Sequence, residues 1–145
     1  MSNGIKKAKF QTMVTNRMVK YKNLNHHGTL FAGQGAEWFV ESGFIAASSV
    51  LPPDNVVCVK VHGMTFKRPV PKGHIIRSES RIVLTGKTSV VVYVIFTDNM
   101  DDGLIVDGFL TFVHVDLNGK PMRHNLEYTP QTEEEKRLYE IAKKL

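Results

Sequence analysis

A single cysteine, Cys58, stands in the 145 residues, and no run approaches the roughly 18 consecutive apolar residues of a membrane span. One thiol closes no internal disulfide and builds no cysteine-cluster metal site, which fits a reducing compartment. The lysine-rich start lacks the apolar stretch of a signal peptide, so the chain is expected in the cytoplasm, with no membrane partner. Internal repeats and low-complexity tracts are missing as well. With 42% hydrophobic residues, what remains can close one core and is too short for two ordinary domains. In its alternating context Cys58 reads as a small core hydrophobe rather than a nucleophile.

Lysine and arginine exceed aspartate and glutamate by 19 to 14, a net charge of +5 that suits a polyanionic partner without naming it. The surplus is local. Lys60, Lys67, Arg68, Lys72, Arg77, Arg81 and Lys87 share their stretch with one acid, Glu79, whereas Asp98 to Asp116 carries acids only. Strand edges guarded by cations produce the same pattern. Without interleaved aromatics or a recognition motif, the block does not read as a nucleic-acid surface.

Residues 1–9 are polar and lysine-rich, with nothing to bury, and are expected to be mobile; 10–145 form the domain. Phe10 to Tyr21 alternates loosely, as a first strand does. From Leu30 to Leu51 the pattern predicts a helix whose only charges are Glu37 and Glu41 and whose apolar residues fall on every side, so burial all round is expected. Pro52 and Pro53 stop it. The period then changes to two: Val57, Val59 and Val61 alternate against Cys58, Lys60 and His62. Further strands are predicted at His74–Leu84, Thr88–Thr97 and Leu104–Asp116, with hairpin signals at Thr85-Gly86-Lys87, Asp101-Asp102-Gly103 and Asn118-Gly119. Thr132 and Glu135 form a capping-box pair ahead of Leu138, Ile141, Ala142 and Leu145, a short amphipathic helix. The sum is an α+β fold, a curved antiparallel sheet wrapped around a long helix. Its uncovered edge strand calls for at least a dimer.

Two carboxylates, Glu37 and Glu41, lie four residues apart on an apolar helix, where they must be solvated, paired or used. Either can face a solvent slot or pair with the basic block; either can serve as a general base. Just before the helix comes Asn25-His26-His27-Gly28, and Ala32 and Gly33 fall in its first turn, where free amides can hold a developing oxyanion. Asn25 supplies an amide able to orient a carbonyl or a water. The adjacent histidines lack a third ligand at metal-like spacing, and no metal site is expected.

The stretch NHHGTLFAGQGAEWFVESGFIAA, Asn25 to Ala47, resembles the signature of hotdog-fold acyl-CoA thioesterases, a group that includes bacterial short- and medium-chain acyl-CoA hydrolases and the brain-type cytosolic enzyme. MTFKRPVPKG (Met64 to Gly73), GKTS (Gly86 to Ser89) and LTFVHVDLNGK (Leu110 to Lys120) extend the likeness in the same order. The resemblance implies a hotdog fold, dimers that share active sites and often build hexamers as trimers of dimers, and hydrolysis of acyl-CoA to free acid and CoA, with no cofactor beyond the substrate's own CoA. It assigns Asn25 to placing the thioester or the attacking water, the Gly33 amide to the oxyanion hole, and Gly86, Lys87, Thr88 and Ser89 to a hairpin lying along CoA.

One position departs from the family pattern: where the family carries an aspartate, this chain has Val40. Glu41 is its neighbour, about 100° away around the helix, and Glu37 lies about 60° away on nearly the same face. Either glutamate can take over as base or nucleophile. Loss of the acid also raises a second reading, a protein that binds or senses acyl-CoA without hydrolysing it. A third, a hydroxyacyl-thioester dehydratase, would use His27 with Glu41.

Overall fold

The computed structural model describes residues 9–145, so the expectation for 1–9 lies, Lys9 apart, outside the described residues. Among them, five strands form one antiparallel sheet: β1 Met13–Met18, β2 Val56–Val61, β3 Ile75–Thr85, β4 Ser89–Asp98 and β5 Leu104–His114. Their spatial order is β1-β3-β4-β5-β2. Helix α1, Ala32–Ser48, lies on one face and α2, Glu133–Lys143, on the other. Alternation along β4 builds both layers: Val90, Val92, Val94 and Phe96 pack with the α1 side, where Phe39 meets Phe96 edge-on at 5.8 Å, while Val91 and Tyr93 bury with Leu138 and Ala142 of α2. Each such side chain contributes on the order of 1.5–3 kcal/mol. Register shifts at Cys58/Lys60, Ile82/Leu84 and Phe96/Thr97 are β-bulges, which bend the sheet around α1. This is the expected hotdog architecture.

Differences from the sequence reading have local causes. The first strand ends at Met18 because the Val19 amide turns to the His74 carbonyl at 2.9 Å and Tyr21–Asn23 closes a 3-10 turn. Helix α1 begins after Leu30 because that residue is held extended, bridged to Leu24 and donating its amide to the Val70 carbonyl at 2.8 Å. Its expected burial all round does not occur. Gly35, Trp38, Phe39, Ser42, Gly43, Ala46 and Ala47 face the sheet, but Gly33, Glu37 and Glu41 are exposed and Val40 and Phe44 half-buried, since α2 sits on the far face of the sheet. Cys58, expected in the core, is exposed, because β2 is an edge with only β5 beside it. Its Val57, Val59 and Val61 are exposed too.

Candidate functional site at the open end of α1

Asn25 shapes the turn that delivers the chain to α1. Its Oδ1 accepts the amides of His27 at 2.9 Å and Thr29 at 3.2 Å, and its Nδ2 donates to the Leu30 carbonyl at 3.4 Å. Gly28, at φ +79°, supplies the left-handed step in this turn. His26 and His27 are exposed and stack on each other with centroids 3.9 Å apart.

The turn leads into a helix start with no side-chain cap and no acid in its first turn. The Phe31 carbonyl accepts the amides of Gln34 at 3.0 Å and Gly35 at 3.1 Å, which leaves those of Ala32 and Gly33 foremost at the positive end of the helix dipole. The ring of Phe31 lies over Gly33, where an added Cβ would stand 2.5 Å from its Cε2. A side chain at 33 would have to displace that exposed ring.

Two clefts flank this terminus. On one side, about 340 Å³ is bounded by Asn25, Leu30, Ala32, Phe66, Arg68 and Val70. Arg68 is engaged there by Asp101 at 2.7 Å, and the same hydrogen bond holds the Asp101 carboxyl below its ordinary range. On the other side, about 400 Å³ is bounded by Arg17, Lys20, Lys22, Gln34, Glu37 and Trp38. The two glutamates have separate fates. Glu41 is ion-paired to Arg17, whose guanidinium also lies 5.2 Å over the Trp38 ring. Glu37 is exposed in the cleft and faces the cations across it. The partner of Glu41 thus comes from β1, outside the Lys60–Lys87 block. Arg17 carried no recognisable signal, because the contact spans 24 residues between a strand and a helix.

The Lys60–Lys87 block disperses in space: Arg68 pairs with Asp101, Arg77 with Glu79 and Arg81 with Glu134, while Lys72 lies over the Tyr21 ring. Gly86 to Ser89 form the β3–β4 turn, closed by the Gly86 amide on the Ser89 carbonyl at 2.9 Å, with Lys87 exposed. Within one chain this turn is remote from the open end of α1. Met18 and the Glu37 cleft lie at the Ile75 end of β3, and the turn follows the other end, about 30 Å away at the 3.3 Å rise of a strand. Asn25 and Glu37 line different clefts, and among the described residues Asn25, Gly33 and Gly86–Ser89 do not meet in one chain.

Residues 27–103 match the profile described as Thioesterase superfamily. The chain is 30% identical over 122 residues to an uncharacterised acyl-CoA thioester hydrolase of Bacillus subtilis (strain 168), covering 81% of this chain and 70% of that one. An acyl-CoA thioesterase solved as an apo hexamer is similar at 33% identity, TM-score 0.83, covering 92% of this chain and 86% of the other. An acyl-CoA hydrolase of Staphylococcus aureus, solved with butyryl-CoA, CoA and CoA disulfide, is 27% identical with TM-score 0.84, over 98% and 85% of the two chains. With the four sequence blocks, the wrapped sheet and the uncapped helix in agreement, this chain belongs to the thioesterase superfamily, in its hotdog-fold acyl-CoA thioesterase branch.

Proposed function

We infer that the protein is a thioester hydrolase that cleaves acyl-CoA to free acid and CoA. The observation that carries the reading is the pairing of an open helix end with a free carboxylate one turn away. Gly33 and Glu37 are four residues apart, about 6 Å along the helix and on the same face, whereas Glu41 is about 12 Å along. Glu41 is also occupied by Arg17. The thioester carbonyl oxygen accepts the Gly33 amide, which stabilises the charge that develops as the carbonyl becomes tetrahedral. The Glu37 carboxylate takes a proton from the attacking water, or attacks the carbonyl carbon itself; collapse expels the CoA thiolate.

The site is completed by a second copy. Exposed Val57, Val59 and Val61 make β2 a strand edge open to pairing, and an antiparallel two-fold across it turns the partner's 86–89 end toward this chain's α1 terminus. Asn25 then acts across the interface. A hexamer built from such dimers agrees with the related hexameric structures, including one from Yersinia pestis. An unpaired, exposed Cys58 suits a reducing cytoplasm.

Thiol release across acyl groups from acetyl to palmitoyl tests the reading, with hydrolysis of at least one of them expected. Val40 at the family's aspartate position favours one rival, an acyl-CoA-binding protein without turnover. CoA binding with no thiol released from any substrate would establish that rival. The dehydratase reading finds no support, since Glu41 is bound to Arg17 and no contact joins it to His27 among the described residues.

A further inference from the structure

The 3-10 turn at Tyr21–Asn23 brings Lys20 and Lys22 to the Glu37 cleft and is fastened to the start of α1. The buried Asn23 side chain accepts the Lys20 amide at 2.9 Å through Oδ1 and donates from Nδ2 to Gln34 Oε1 at 3.3 Å. Its amide closes the turn on the Lys20 carbonyl at 2.9 Å, and its carbonyl accepts the Phe31 amide at 2.8 Å. One asparagine thus fixes where the two lysines stand relative to the helix. Both line the cleft with Glu37, and among the described residues neither has an ion-pair partner, whereas Arg17 beside them is taken by Glu41.

The two clefts that flank the Gly33 amide differ in kind. Leu30, Ala32, Phe66 and Val70 wall the first, a surface that suits an alkyl chain. In the second, Lys20, Lys22, Asn23, Gln34 and Glu37 outnumber the apolar Met18 and Trp38. An alkyl chain laid there would strip water from ammonium and amide groups and give them no partner in return. With Glu41 neutralised by Arg17, two lysines face one carboxylate, so the surplus charge is positive. A chain that ends in a carboxylate meets that surplus with charge-assisted hydrogen bonds.

We propose that the acyl group carries a second carboxylate: the substrate class is the CoA monothioester of a dicarboxylic acid, with Lys20 and Lys22 the residues that select it. The inference rests on the reading of Glu37 as the base beside the Gly33 amide. On that reading the partner joins at β2, the edge opposite β1, and the coenzyme enters from the partner's side. The acyl arm is then left to the Glu37 cleft, which β1 borders through Arg17 and Met18. Without the lysines, Glu37 would repel such a chain. Hydrolysis releases a dicarboxylic acid and CoA.

The test measures thiol release from succinyl-CoA through suberyl-CoA and from the ω-methyl ester of each, which has nearly the same length and no charge. Wild type is expected to favour the free carboxylate in kcat/KM by about tenfold at the best length, the scale of two exposed ion pairs, and to lose that preference as salt rises. Lys20→Ala combined with Lys22→Ala should bring the ratio toward one. Lys22→Glu should reverse it in favour of the methyl ester, and Lys22→Arg should keep it. Thioether analogues of the best pair, which cannot be cleaved, are titrated into the full chain by calorimetry and should give the same ratio as affinity. Equal rates on acid and methyl ester in a protein that hydrolyses both, or a preference that survives Lys22→Glu, would overturn the proposal. If no thioester is hydrolysed but the acid thioether binds more tightly through Lys20 and Lys22, the carboxylate site stands and the hydrolase reading falls. Equal thioether affinities in that inactive protein would sink both.

Discussion

Helix α2 opens on a complete capping box: Thr132 Oγ1 accepts the Glu135 amide at 3.1 Å, and Glu135 Oε1 accepts the amides of Thr132 at 3.0 Å and Gln131 at 2.8 Å. Glu133, Glu134 and Glu135 fill its first turn, and Lys143 stands in its last. Helix α1 has none of this. Its N-cap is Phe31, its first turn holds no acid, and its last turn holds no base. A cap is worth about 1 kcal/mol, so α2 satisfies its own ends while α1 leaves its amides open. Packing of Trp38, Phe39, Ala46 and Ala47 against the sheet holds α1 instead. The contrast teaches that α2 is held at its own ends, whereas α1 is held by packing along its length and keeps its first amides open.

The largest effect that could break this contrast belongs to Glu37. Glu37→Gln should lower turnover by about a hundredfold or more, the scale of a general base, while Glu41→Gln should change it by only a few-fold and act on stability. Thiol-release kinetics on both variants decide between them; the opposite ranking would transfer the role to Glu41. Should neither matter in an inactive wild type, Val40→Asp is expected to create hydrolysis.

Giving α1 the cap it lacks is the sharper experiment. Phe31→Asp places a carboxylate at the N-cap, where the open amide within its reach is that of the second helical residue, Gly33, since the Gln34 amide is already bonded to the residue 31 carbonyl. Stability by denaturant titration should rise by about 0.5–2 kcal/mol. Turnover should fall toward the roughly hundredfold loss of an oxyanion donor. A gain in stability with full activity would show that the Gly33 amide is not used.

On α2 the expectation reverses. Thr132→Ala should cost about 1 kcal/mol and leave kcat untouched. The smallest effect is pH-dependent. Hydrogen bonds from the Thr132 and Gln131 amides hold the Glu135 carboxyl below its ordinary value of 4.5. A depressed carboxylate stabilises the fold above its unfolded pKa, and that contribution disappears as pH falls through the folded one. The difference in melting temperature between wild type and Glu135→Gln should therefore be constant at neutral pH and shrink below about pH 4.5.

Much of this was legible because it is local. Thr132 and Glu135 announce α2 from a spacing of three, Val90 to Phe96 show their alternation directly, and Pro52 and Pro53 bracket α1 within a few residues. The candidate residues Asn25 and Gly33 were also visible, as a polar turn before an apolar helix. Other features depend on residues far apart in the chain. Arg17 takes Glu41, which distinguishes two glutamates that the sequence left equivalent. The segment 122–128 places Arg123 beside Lys87 across more than thirty intervening residues. The basic block disperses for the same reason: Arg77 and Arg81 share one face of β3 yet find separate acids, Glu79 on the strand itself and Glu134 on α2.

The sequence by itself determined the strands, both helices, the family blocks and the absence of the family's aspartate at Val40, because periodicity, caps and turn residues act within a few positions of each other. Tertiary structure alone decided which glutamate is free, that the Gly86–Ser89 turn lies far from the helix end of its own chain, and that β2 presents an open edge. Those are matters of where a sheet curves and which side chains it brings within about 4 Å, the range over which ion pairs and apolar contacts form. No spacing along the chain encodes that.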